Sequence, residues 1–234
     1  DRGFFSREIL GFLEAEGVHC LTLERVRPDS LVYHDLVPAA REKGWRVSVT
    51  QETASVQTDL PASWEEYIQS LVGKQRHEVR RKLRRANEAG VRVQSNARTG
   101  SETEAAMDLF VHLFRQSRED KKKFMTDARE GFFRTLAAEL SQNDMLSLHT
   151  LTVNDSQVAA VFCVEIGKTT YLYNNGFDPR FRTISLGVVS KIETIRTSIE
   201  AGKAVYDFLG GTERYKFHLG GMKVPLMKCI IQRE

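Results

Sequence analysis

Apolar residues three and four apart mark several helices. Phe5, Ile9, Phe12 and Leu13 predict one over residues 4–16. Residues 19–26 read as a strand. Pro28-Asp29-Ser30 then opens a helix to about Lys43, with Leu31, Leu36, Val37 and Ala40 inward, and Gly44 ends it. Residues 45–58 alternate enough for one bent strand or two short ones. Ser63 and Glu66 form a capping box ahead of Trp64, Tyr67, Ile68 and Leu71. A further helix is predicted over about 74–89, and a short strand over 91–95. Ser101 and Glu104 form a second capping box, before Ala106, Leu109, Phe110, Leu113 and Phe114 on one face. Residues 127–141 make another helix, with Phe132, Phe133, Leu136 and Leu140 inward.

At Met145 the period falls to two. Residues 145–153, 157–166 and 169–174 predict three strands, joined by the turn dipeptides Asn154-Asp155 and Gly167-Lys168. Such short connections make an antiparallel meander. Its middle strand is apolar on both faces and is therefore central and covered. A loop follows, then a helix over 186–201 (Leu186, Val189, Ile192, Ile195, Ile199), a short strand over 204–208, and a final strand over 224–232. This order predicts a mixed α/β (α+β) fold.

The length of 234 residues, with 41% hydrophobic and 28% charged, fits one large or two small folded domains and excludes collagen-like and wholly disordered classes. The longest apolar run, 158–164, is too short for a transmembrane helix. The formal charge is only +3, but it is unevenly placed. Lys74, Arg76, Arg80, Arg81, Lys82, Arg84 and Arg85 face only Glu78 and Glu88 within one predicted helix. That helix is read as solvated, as a site for an anionic acceptor or phosphates (Arg80, Arg84), or as a tRNA surface; no interleaved aromatics support the last. Cys20, Cys163 and Cys229 sit in apolar runs without zinc spacing. They predict buried reduced thiols, a cytoplasmic location and no metal. His112, His149 and His218 have no partner at ligand or triad spacing. The chain starts at Asp1 rather than Met, which leaves room for a preceding segment.

Residues 174–221 carry the candidate chemistry. Asn174-Asn175-Gly176 ends a strand, and a loop with Arg180 and Arg182 leads through Ser185-Leu186-Gly187 into a helix. Free N–H groups at a helix start, nearby arginines and a glycine describe either an anion site or an ordinary helix capped by Ser185. Arg182-Thr183-Ile184-Ser185-Leu186-Gly187 resembles the Q/R-x-x-G-x-G/A pyrophosphate loop of GCN5-related N-acetyltransferases (GNAT), with Ser in place of the first Gly. Gly176-Phe177-Asp178-Pro179, Ser185-Leu186-Gly187, Asp207-Phe208-Leu209-Gly210 and Tyr215-Lys216 further resemble the BioF-like, CelD-type acetyltransferases, which are related to the FemABX aminoacyltransferases; Leu186 replaces a usual Pro.

The resemblance implies a GNAT-like mixed sheet in which a parallel strand splays from the meander. It implies a GNAT core over residues 59–234 and a partial GNAT-like unit over 1–58. The implied activity is acyl transfer, acetyl above all, from acetyl-CoA or another acyl-CoA to an amine or hydroxyl of a small-molecule, saccharide or peptide acceptor. The alternatives are an aminoacyl-tRNA-dependent transferase and a catalytically degenerate binding module. Arg180, Arg182, Ser185, Leu186 and Gly187 would hold the donor phosphates. Tyr215 would be the acid, and Asp207 or Glu165 the base. Lys216, Asn174, Asn175, Arg80 and Arg84 would meet the acceptor. Asp207 has a plainer reading too, as a cap on the Gly210-Gly211 bend. Glu165, in an apolar strand, is costly unless paired.

Overall fold

A computed structural model describes residues 2–95 and 100–233. The chain forms two compact units: Asp1–Val56 with Gly210–Thr212 and Lys223–Glu234, and Gln57–Leu209 with Glu213–Met222.

In the first unit, α1 (Arg2–Ala15) is followed by β1 (Cys20–Val26). A π-helical turn over Val32–Leu36 runs into α2 (Val37–Glu42), and β2 (Arg46–Asp59) follows as one strand. The single helix read from Pro28 to Lys43 is thus not regular, and Leu31 is exposed rather than inward. Pro38 has no N–H to continue the ladder, and the Val37 N–H reaches back to the Val32 carbonyl instead. The last strand, β8 (Met222–Gln232), pairs antiparallel with β1, Cys20 opposite Gln232. That pairing draws the chain's end into the first unit. Leu10, Ala40, Trp45, Cys229 and Ile231 form its core.

The second unit holds α3 (Trp64–Ser70), α4 (Gly73–Glu88), β3 (Val91–Ser95), α5 (Gly100–Ser117), α6 (Glu119–Phe124), α7 (Asp127–Gln142), β4 (Leu146–Val153), β5 (Ser156–Ile166), β6 (Thr169–Phe177), α8 (Leu186–Glu200), β7 (Val205–Gly210) and α9 (Arg214–His218). Strand order is β7-β6-β5-β4-β3. The meander is antiparallel as its turns predict, with Asn154 and Asp155 at φ 46° and 63°. Central β5 is buried throughout Val158–Cys163 as its double-sided apolar pattern requires. β6 and β7 are parallel, Thr169 opposite Val205 and Tyr171 opposite Asp207.

Helices cover both faces of this sheet. Phe110, Phe114, Phe133 and Phe162 pack α5 and α7 onto β4 and β5, with ring centroids 5.6–6.3 Å apart. Each fully buried ring contributes about 2–3 kcal/mol of transfer free energy. Phe132, read as inward, is 55% exposed, because one residue turns it about 100° from the Phe133 stripe. Leu151, Val158, Leu186 and Val189 pack α8 beneath the other face. The Ser63 side chain accepts the Glu66 N–H, as the capping box predicts. The Ser101 side chain lies outside the described residues. No helix among those described is long and apolar enough to cross a membrane.

Candidate active site

The three positions from Thr169 to Tyr171 pair with β7; β6 then continues to Phe177 and β7 to Gly210. The strands part beyond Tyr171 and Asp207, and several of the candidate residues lie on the segments that follow.

The segment Gly176-Phe177-Asp178-Pro179 shapes the loop. A Cβ on Gly176 would lie 2.3 Å from the Phe114 backbone nitrogen, so β6 presses directly on α5. The Phe177 ring lies where a Cβ on Gly187 would stand, at 2.7 Å. Gly187 is therefore small for packing, a role the reading of an anion approach did not foresee. Buried Asp178 accepts the Arg180 N–H (2.9 Å) and grips its guanidinium (2.7 Å). This guanidinium holds the Asp178 carboxyl below its ordinary range. Arg180 is thus engaged within the loop, not poised for phosphate. Arg182 is exposed and makes no ion pair among the described residues.

Ser185 stands left-handed at φ 57°, ψ 40°, a conformation that favours glycine. It does not cap α8 with its side chain. Its Oγ accepts from Lys82 Nζ at 2.9 Å. Lys82 also meets Glu78 at 3.1 Å. Arg81 and then Lys82 pull the Glu78 carboxyl down to about 2. The basic helix therefore meets the loop through Lys82. Arg80 and Arg84 lie about 200° round the helix from it. They pair with Glu65 and Glu88 instead, and the structure does not bring them to the parting. Leu186 is fully buried and offers only backbone.

Tyr215 lines a cleft of about 250 Å³ with Lys82, Val188, Arg214 and His218. Burial, then the Glu213 carboxylate, keeps its phenol well above the ordinary value and protonated at neutral pH. Lys216, 2% exposed, donates to the Leu209 carbonyl (3.1 Å) and meets Glu213 (3.0 Å). Asp207 Oδ1 accepts the Leu209 N–H at 2.7 Å, where Leu209 is left-handed at φ 58°. The capping role read for Asp207 is present. Glu165 pairs with Thr170 near the start of β6 and meets Lys203 at 2.9 Å. It is paired as its burial requires, but at the opposite end of the strand from Asn174 and Asn175. His149 is buried on β4 with its Nε2 3.0 Å from Ser147 Oγ.

Two lysines escaped the sequence reading. Lys191 of α8 is buried, donates to the Gly187 carbonyl at 2.6 Å and lies 4.7 Å above the Tyr215 ring. Burial, then Lys121, pushes its ammonium down to about 7. Lys121 of α6 donates to Asn174 Oδ1 (3.4 Å) and to the Asn175 carbonyl; burial brings it to about 8. Lys191 stands three residues after Val188 and four before Ile195, a charge inside an apolar stripe that was a usable signal. Lys121 is one of three consecutive lysines, and nothing local singles it out. Cys163 and Cys229 are buried, but Cys20 is exposed on β1, against expectation. Burial raises the Cys163 thiol to about 12. Among the described residues no three His, Cys, Asp or Glu side chains converge as metal ligands.

A buried tyrosine hydrogen bond holds α9 in place. Tyr67 Oη donates to the Leu219 carbonyl at 2.8 Å. Tyr67→Phe is expected to cost about 1–3 kcal/mol in urea unfolding, because a buried carbonyl loses its donor.

Residues 73–217 match the family described as Acetyltransferase (GNAT) domain, well over half of the chain. The chain belongs to the GNAT acetyltransferase family. Its strand order and parting parallel pair are those of a GNAT-like fold. A conserved protein of unknown function from Bacteroides thetaiotaomicron VPI-5482 is similar in structure, with TM-score 0.69 and 16% identity over 100% of this chain and 76% of that one. FemX gives 0.68 and 13% over 98% and 77%. L-PGS from Bacillus licheniformis gives 0.59 and 11% over 97% and 71%. At these identities the likeness is one of fold. No curated protein matches the chain by sequence.

Proposed function

We propose that this GNAT protein is an acyltransferase of the BioF-like, CelD-type group, moving an acyl group from acyl-CoA to an amine or hydroxyl acceptor. The observation that carries the reading is the Arg182–Gly187 turn. It is left-handed at Ser185 and feeds a 15-residue helix beside two parting parallel strands. Arg182, Lys82, the Ser185 hydroxyl and the amides of Leu186 and Gly187 are assigned to the donor phosphates; the Ser185 N–H is already given to the Arg182 carbonyl. Tyr215, kept protonated by burial, is assigned as the acid for the departing thiolate. Asp207 stands at the last paired position of β7, and Glu165 is held by Lys203 at the other end of β6; the proton-accepting role goes to Asp207. Lys216, Asn174 and Asn175 are assigned to the acceptor. The first unit is read as a partial copy of the same α/β kind.

Calorimetry with acetyl-CoA tests the reading. Arg182→Ala is expected to weaken binding about tenfold or more, the worth of a charge-assisted phosphate contact. Acetyl-CoA that gives no saturable heat overturns the CoA donor. The fold likeness to FemX and the seven cationic side chains of α4 favour an aminoacyl-tRNA donor as second reading. It requires tRNA binding that falls steeply with salt and weakens in Arg80→Ala/Arg84→Ala.

A further inference from the structure

Where β6 and β7 part, two ammonium groups arrive from two helical layers. Lys121 lies 4.6 Å over the Phe114 ring, on the α5 side. Lys191 rises from α8 on the other side, over Tyr215. Their hydrogen-bond acceptors are all neutral: Asn174 Oδ1, the Asn175 carbonyl and the Gly187 carbonyl. Among the described residues neither forms an ion pair. The charge on Lys121 is itself one of the causes that weaken proton binding at Lys191. Asn175 adds a third donor. The residue is 7% exposed, and its Nδ2 is buried without an acceptor.

Glu213 acts on Lys191 and Asp120 on Lys121 from a distance, but two like charges held in a low dielectric with no carboxylate in direct contact are costly. Each ammonium has three N–H groups, so donors remain beyond the contacts already made. A thioester carbonyl would leave the charge unbalanced; an oxyanion balances it and accepts charge-assisted bonds from both lysines. We propose that this parting binds a compact oxyanion, a carboxylate or phosphate group of the acyl acceptor, between Lys121, Lys191 and the Asn175 amide. The anion's place on the acceptor rests on the acyltransferase reading, while the anion site stands on its own geometry. The acceptor is therefore acidic.

The test is NMR of the full chain carrying 13Cε-lysine, titrated at constant ionic strength with sodium acetate and, separately, inorganic phosphate. Arg182→Ala is the background, so that the α8 loop does not compete. Saturable shifts at the Lys121 and Lys191 signals are expected with at least one anion, and the titration midpoint of Lys191 should rise by about one unit. A response to acetate alone assigns a carboxylate acceptor, and a response to phosphate alone a phosphorylated one. Lys191→Met should weaken the shift at Lys121 at least tenfold; Lys121→Met, read at Lys191, is the reciprocal arm should the first variant not fold. Absence of saturable shifts at both lysines with both anions overturns the proposal, as does unchanged anion binding in the folded variants. Acetyl-CoA calorimetry on wild-type protein separates the two claims. Acetyl-CoA binding without the lysine response removes this site alone; the lysine response without acetyl-CoA binding removes only the acyl-CoA reading.

Discussion

Gly176→Ala is expected to destabilise the second unit by about 3 kcal/mol or more, at the severe end of overpacking. The added methyl would sit 2.3 Å from the Phe114 nitrogen and 2.5 Å from the Leu113 carbonyl carbon. Both atoms are backbone of α5. Phe110, Leu113 and Phe114 fix that backbone in the aromatic core, each at most 2% exposed. Relief requires α5 to move off β6, which also displaces α6 and the Lys121 contacts to Asn174 and Asn175. Gly187→Ala is the informative contrast. Its nearest neighbour is the Phe177 ring at 2.7 Å, and a side chain can turn where a helix backbone cannot. Its expected cost is about 1–2 kcal/mol. Urea unfolding followed by Trp64 fluorescence, with Trp45→Phe in every protein compared, reads the second unit alone. Equal small losses for the two substitutions would refute the account of Gly176.

Lys191→Met is expected to stabilise the protein, most strongly at low pH. Burial first, and Lys121 second, bring the folded-state pKa of Lys191 to about 7. Glu213 and Cys163 push it upward, and Lys216 downward. The unfolded chain holds that proton to about pH 10.4. Between these values the unfolded state binds more protons, so wild-type stability rises with pH across that window. Below about pH 7 the folded protein carries the full cost of a buried ammonium. Methionine has similar volume and no charge. The variant should exceed wild type by a few kcal/mol, on the order of the shift, at pH 6, and the difference should shrink toward pH 10. Urea unfolding at pH 6, 8 and 9.5 measures it. A difference independent of pH would mean that Lys191 does not titrate there. The same variant should lose anion binding, so the lysine is retained at a cost in stability.

The sequence alone determined the elements whose signals are local. Period-two alternation with Asn154-Asp155 and Gly167-Lys168 placed the meander, and the apolar stripe of α8 placed the helix behind Arg182-Thr183-Ile184-Ser185. Tyr215 and Lys216 stood out as candidates because they follow the parallel strand by a few residues. β6 was read as ending at Asn174, since Asn-Asn-Gly favours turns; pairing with Ala159–Phe162 carries it to Phe177, and no local propensity reports that pairing. The tertiary structure alone decided which charges meet. Arg180 is taken by Asp178, Arg80 by Glu65 and Glu165 by Lys203. Lys82 reaches a serine 103 residues away. Lys121 and Lys191, from helices separated by three strands of the chain, come near enough for one charge to weaken proton binding at the other. Periodicity is set by contacts a few residues apart, which a sequence displays. The approach of two ammonium groups is set by how helices pack on opposite faces of a sheet, and only the folded chain brings them together.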